Sequence, residues 1–227
     1  DYKRIPVGIS KENLEYQYID MSSNTISLVM GLDMDEILPF VNCLIEITKG
    51  LNDCNVTILD PNKRLNISGG CEYYVSQIED KIVDIFNLVV ERFQANKRQD
   101  IDIIEGFKPY IFVFQEFATI YEEISDDGKD KLKLLLDNNS NNLKVHFVII
   151  DELSALRIRS TDAWFKKHCA VGNGVWIGDG IADQYIMKLT NNSRELKKSL
   201  DAHFGYVIND GIPCLTKLIE KEVGEFE

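Results

Sequence analysis

Three points in the chain place residue types capable of phosphate or metal chemistry directly after a short apolar run. The first is Gly31-Leu-Asp-Met-Asp-Glu36-Ile37-Leu38, which follows the run at 25–30. A glycine between a strand and a helix can turn backbone N–H groups toward a phosphate. The full pattern, G-x-x-x-x-G-K-S/T, adds a second glycine for close approach, a lysine for the β- and γ-phosphates and a hydroxyl for magnesium. Gly31 fits the first position, but Glu36, Ile37 and Leu38 stand at the second glycine, the lysine and the hydroxyl. Asp33, Asp35 and Glu36 also set carboxylates where phosphate would lie. The plainer reading is an acidic helix start, whose own side chains serve the N-terminus.

The second point is Gln115-Glu116 after 110–114. An apolar strand ending in Asp-Glu holds magnesium through the aspartate and polarises the attacking water through the glutamate. Gln115 replaces the aspartate with an uncharged amide. That leaves Glu116 as a vestigial candidate base or simply a helix cap. The third point, Asp151-Glu152 after 145–150, competes for the same role, with helix capping by Asp151 as the plainer account. Arg157 and Arg159 follow it and read either as fingers reaching a neighbour's site or as solvated helix residues. His168 and Cys169 are adjacent, a spacing that seldom lets side chains face each other. No metal site is expected: the five cysteines show no zinc spacing and read as thiols in a reducing compartment.

The elements that must position these residues follow from periodicity. Short strands are expected at 4–9, 16–20, 54–59, 174–178, 206–208 and 215–219, and buried ones at 25–30, 110–114 and 145–150. Helical spacing runs over 33–49, with Asp33 as cap and Pro39 in or near the first turn, over 77–96, from 116 through 136 with a break at 126–128, and over 193–200. Strands alternating with helices predict an α/β fold: a mainly parallel sheet covered on both faces, in one domain over 1–227. Ligands of such sheets sit at the carboxyl ends of the strands, here just after Met30, Phe114 and Ile150.

A formal net charge of -12 argues against a nucleic-acid partner, which needs a basic footprint. It argues equally against an anionic lipid surface. No run approaches the ~20 apolar residues of a membrane span. The chain opens at Asp1 in a structured run and reads as a piece of a longer protein.

Several segments occur in a telling order: Ile5-Pro-Val-Gly-Ile9, the strand–Gly31–helix unit, Lys108-Pro-Tyr-Ile-Phe-Val-Phe-Gln-Glu-Phe-Ala118, Gly178-Asp-Gly-Ile-Ala-Asp-Gln-Tyr185 and Phe204-Gly-Tyr-Val-Ile-Asn-Asp-Gly211. Together they resemble the FtsK/SpoIIIE-type ATPase domains over the whole chain, and within them the last ATPase domain of the type VII secretion motors. The resemblance implies a RecA-like P-loop NTPase fold. It implies adjacent ATPase domains in the same polypeptide, a hexamer of the full-length protein, and small helical export substrates. The implied setting is the cytoplasmic side of a cell-membrane protein in a Gram-positive bacterium. Glu36, Ile37, Leu38 and Gln115 depart from the catalytic pattern. The expectation is therefore a degenerate domain with no cofactor, in which any affinity for ATP and magnesium is weak, serving substrate recognition or motor regulation. The alternatives are a weakly active ATPase with an atypical cradle and, least of all, a DNA-translocase module.

Overall fold

The computed structural model describes residues 1–66, 72–73, 75–138, 140–190 and 193–220, without the side chains of 72, 73, 75, 76 and 168. The strands are β1 (Arg4–Ser10), β2 (Tyr16–Asp20), β3 (Ile26–Gly31), β4 (Asn55–Leu59), β5 (Glu72–Tyr73), β6 (Tyr110–Gln115), β7 (Val145–Glu152), β8 (Gly174–Ile177), β9 (Phe204–Asn209) and β10 (Ile212–Leu218). The helices are α1 (Met34–Lys49), α2 (Val75–Arg98), α3 (Ile101–Gly106), α4 (Phe117–Glu123), α5 (Asp126–Asp137) and α6 (Ala163–His168). Among the described residues these strands form one sheet in the order β2-β1-β10-β9-β8-β3-β7-β6-β4-β5.

From β8 to β5 neighbouring strands are parallel. From β8 toward β2 every pairing is antiparallel. Apart from the step from β4 to β5, the strands of the parallel half are connected through helices, as expected of crossovers. In the antiparallel half, β1 and β2 and then β9 and β10 are joined by short turns, while β8 reaches β9 through the long segment 178–203. Asp210 and Gly211 both have positive φ (50° and 78°), the geometry that matches a two-residue hairpin to strand twist.

The central strands bury both faces, so their residues alternate between two cores. Leu28, Met30, Phe112, Phe114, Phe147, Ile149 and Trp176 face a layer built with α2, α4 and α5. Val29, Ile111, Val113, Val148, Ile150 and Val175 face α1, whose Ile37, Phe40, Val41, Leu44 and Ile45 complete the second layer. Arg92 is buried, and among the described residues it has no carboxylate partner. It donates to the carbonyls of Leu143, Lys144 and Lys108 at 2.7–3.1 Å and so ties α2 to the opposite end of the sheet from the candidate site.

The helix expected over 193–200 is instead a single 3-10 turn, Arg194–Lys197. Leu196 is its one buried residue, too narrow an apolar face to hold a longer helix. The Leu200 N–H is taken by Asp179 Oδ1 at 2.6 Å. The polar stretch before Pro109 also contains α3, a short helix with no buried residue, capped by Asp100. Pro39 lies in the second turn of α1, next to the first.

Candidate functional site

The carboxyl ends of β3, β4, β6, β7 and β8 meet at one edge of the parallel sheet, where α1 begins. Gly31 is buried, and a Cβ there would lie 3.0 Å from the Ile177 carbonyl and 3.1 Å from the Ile37 side chain. Glycine at this position lets β3, β8 and α1 approach closely. Only Leu32 and Asp33 separate β3 from α1, so the chain turns straight into the helix. Glu36, Ile37 and Leu38 are therefore helical residues. Ile37 is fully buried in the apolar core, Leu38 packs partly against it, and Glu36 is exposed.

A helix N-terminus leaves its first N–H groups without intrahelical partners. Here two carboxylates take them. Glu152 Oε1, at the end of β7, accepts from Met34 N at 2.8 Å. Asp33 Oδ1 accepts from Asp35 N at 2.9 Å. Glu152 is delivered by register: it pairs with Gly31 across the parallel ladder, and Leu153 N donates to the Gly31 carbonyl at 3.0 Å. Ser154 Oγ holds its other oxygen at 3.1 Å.

Gln115 ends β6 with its side chain completely buried beneath α1. Its Nε2 lies 3.1 Å from Met34 Sδ, and its Oε1 has no hydrogen-bond partner among the described residues. An amide tolerates such burial far better than a carboxylate would. Glu116 follows with φ 52°, an uncommon left-handed conformation for a non-glycine residue. It occupies the N-cap position of α4, but its side chain makes no capping bond. It accepts instead from Asn62 Nδ2 at 2.9 Å and lies 3.6 Å from Arg64 Nη1.

Asp151 does the capping at α4. Its Oδ2 accepts from Ala118 N at 2.7 Å and its Oδ1 from Glu152 N at 2.8 Å. So Asp151 caps a helix earlier in the chain, not the segment that follows it. Burial pushes its carboxyl up to about 7, against the lowering effect of those two bonds and with a further rise from Glu116 and Glu152.

Arg64 had no role in the sequence pattern. Asp60, buried at the end of β4, accepts from Arg64 N at 3.2 Å and Leu65 N at 2.9 Å, a turn that aims the Arg64 side chain back over the strand ends. Its Nη2 donates to Asp35 Oδ1 at 2.9 Å. The guanidinium therefore bridges the start of α1 and the end of β6. The signal available in sequence was its place just after a buried strand, within Asp60-Pro-Asn-Lys-Arg64.

Arg159 donates to Asp162 Oδ2 at 3.0 Å and lies 4.8 Å from the centre of the Tyr121 ring, as a packed residue of its own 3-10 turn. Arg157 is exposed. Cys169 is fully buried, with burial pushing its thiol well up, while the His168 side chain lies outside the described residues. Gly178 to Tyr185 organises a loop: the Asp179 carbonyl accepts from Trp176 Nε1 at 2.8 Å, and Gln184 Oε1 accepts from Ile186 N and Met187 N, both at 2.8 Å. Among the described residues no group of three or more His, Cys, Asp or Glu side chains is arranged to hold a metal ion.

Beside α1, a cavity of about 480 Å³ is lined by Asp33, Glu36, Asp179, Asp201 and Glu220 with His203. His203 is paired with Glu220. On the opposite face of the sheet, an open groove of about 250 Å³ between α2 and α5 is lined by Phe86, Val89, Val90, Phe93, Leu134 and Leu135. Phe93 and Leu134 are half exposed there.

No protein-family model matches the chain, and no curated protein matches it in sequence. Solved structures do. The cytoplasmic domain of EssC superposes with a TM-score of 0.72 at 14% identity, covering 96% of this chain and 43% of that one. Thermomonospora curvata EccC (ATPases 2 and 3), in complex with a signal sequence peptide, gives 0.69 at 16% identity, covering 97% and 41%. The pCW3 conjugation coupling protein TcpA, a monomer form with ATPγS, gives 0.67 at 11%, covering 97% and 66%. The chain spans less than half the length of the EssC and EccC structures. It has the RecA-like α/β fold of the EssC and EccC ATPase domains. Among the described residues, no helix is long and apolar enough to cross a membrane.

Proposed function

We propose that this chain is a degenerate, non-hydrolysing ATPase-type domain of a type VII secretion motor, acting in substrate recognition or motor regulation. The observation that carries the reading is the contact between Glu152 Oε1 and Met34 N: a fixed carboxylate uses the helix N-terminus where a P-loop would receive phosphate. The charge balance supports it. A nucleoside triphosphate brings about four negative charges, normally met by a lysine and by magnesium on hydroxyl and aspartate ligands. Ile37, Leu38 and Gln115 supply none of these, and Arg64 is already shared between Asp35 and Glu116.

The setting is proposed from the fold: neighbouring ATPase domains in the same polypeptide, hexameric assembly of the full protein and membrane association in a Gram-positive bacterium. A short export signal with an apolar helical face suits the groove between α2 and α5, which offers Phe93 and Leu134 to a knob from a partner helix. The signal peptide bound to EccC supports that occupant.

Arg64 also gives the weakly active alternative its best cation, should it leave Asp35 and Glu116. Calorimetric titration with ATP, with and without magnesium, separates the two. No heat of binding is expected in either condition. Magnesium-dependent micromolar affinity would overturn the non-hydrolysing reading in favour of the alternative. Titration with an export-signal peptide in the same cell tests recognition, and saturable binding is the expected result.

A further inference from the structure

We propose that the strand-end face is held shut by a clasp made of the chain's own charged groups, with Glu152 standing in for a bound phosphate and Arg64 closing the mouth. The inference deepens the non-hydrolysing reading and rests on it. Four separate segments meet in this clasp. Glu152, from the end of β7, takes the first N–H of α1 at 2.8 Å. Arg64, from the turn after β4, holds Asp35 in the first turn of α1 at 2.9 Å and faces Glu116, at the start of α4, at 3.6 Å. Asn62 closes the circuit on the other Glu116 oxygen at 2.9 Å.

In nucleotide-driven P-loop domains, phosphate and its metal join these strand ends, and their departure lets the segments move apart. A covalently attached carboxylate cannot depart. Its effective concentration at the helix start stays fixed by the β3–β7 ladder, which pairs Gly31 with Glu152. The domain would then keep one arrangement through the motor's cycle and serve as a rigid element between moving ones. Glu116 supports the idea independently. Its backbone is held at φ 52° while its side chain serves the ion pair rather than the helix it begins.

The two halves of the clasp differ in exposure. The Arg64 and Asp35 side chains are 35% and 79% exposed, so their pair is open to screening by salt. The Glu152 bond to Met34 N joins a half-buried residue to a buried one and is insulated from it.

Amide hydrogen exchange on the full chain tests the clasp, read at Met34, Asp35, Glu36 and Ile37 in the parent, Glu152→Ala, Glu152→Gln and Arg64→Ala. The expected result is about tenfold faster exchange at Met34 in Glu152→Ala, the equivalent of one charge-assisted hydrogen bond. Glu152→Gln keeps an acceptor oxygen and should show a smaller increase. Arg64→Ala, a surface change that leaves the backbone bonds to Asp60 in place, should speed the same amides about threefold. Glu152→Gln and Arg64→Ala keep the test valid if Glu152→Ala does not fold. Parental exchange at these amides in the folded variants overturns the clasp. Nucleotide binding by the parent in the titration above overturns the non-hydrolysing reading instead, so the two failures are distinguishable.

Discussion

Asp151 and Glu152 are neighbours with opposite environments, and the difference comes from the strand's two-residue period. Asp151 is buried and bonded to the backbone at Ala118 and Glu152. Glu152 is half-buried and faces the start of α1. Burial raises the Asp151 carboxyl from 3.8 to about 7. The folded protein therefore keeps a proton that the unfolded chain gives up near pH 4. By linkage, stability contributed by this group falls as pH rises between those values and is level above about 7. His146 works in the opposite sense. Burial lowers it from 6.5 to about 4, so its contribution rises with pH across that window. The two slopes offset each other between about 4 and 6.5, which masks both in the parent protein. Asp151→Asn removes one of them. The melting temperature of the variant minus that of the parent should climb from pH 4 to 7 and then flatten. A difference independent of pH would mean that Asp151 is ionised throughout. The sequence suggests that Asp151 caps a helix, but neither which helix nor the burial that raises its carboxyl is legible in two acids after a strand. Ile37 and Leu38 after Gly31 can be read from the sequence, but not that Arg64 and Glu152 meet at the start of α1, because both arrive through sheet register and a turn.

Among the elements, those with a long apolar period were readable and those fixed by single contacts were not. Residues 25–30, 110–114 and 145–150 are continuous apolar runs and form β3, β6 and β7 within a residue or two. The periodic stretches behind α1 and α2 are equally plain, since a wide apolar face must be buried somewhere. The segment 193–200 has helical composition, but only Leu196 is buried in its turn, and the Asp179 bond to Leu200 N sets its path instead. β8 shows how far one residue can decide an element. Gly174 opens it at φ 143°, and a Cβ there would lie 1.8 Å from the Leu28 carbonyl, its neighbour in the β3 ladder. No side-chain movement relieves a clash with backbone. Gly174→Ala should therefore force β8 away from β3 and cost about 3 kcal/mol or more, from a forbidden φ and lost strand pairing together. Denaturant unfolding measures this directly. A midpoint within error of the parent would show that β8 can re-pair without the glycine. The same strand carries Trp176, fully buried, so loss of native tryptophan fluorescence should accompany the shift.

At the scale of the whole molecule, the sheet makes the two cores inseparable. Met30 and Val29, Phe112 and Val113, Ile149 and Ile150, Trp176 and Val175 are adjacent pairs, each pair sending one side chain to each layer. Neither layer can melt without stripping strands from the other. The antiparallel half is bound to the same unit. β9 pairs with β8 along four residues, and Tyr206 and Val207 again divide between the two layers. Many chains of this length unfold in stages, because their hydrophobic cores split into domains. Here there is no strand-free plane along which to divide the sheet. Calorimetry of the isolated chain should give one heat-absorption peak with equal calorimetric and van't Hoff enthalpies. The heat-capacity change should be about 3 kcal/mol/K, from roughly 12–15 cal/mol/K for each residue. If β1, β2, β9 and β10 were an independent appendage, a smaller peak would precede the main one, and the calorimetric enthalpy would exceed the van't Hoff value. That outcome would also remove the rigidity argued for the strand-end face, because β8 would lose one of its two neighbours before the core melted. A single peak means that the two halves of the sheet melt together, so that β8 keeps both neighbours until the core itself unfolds.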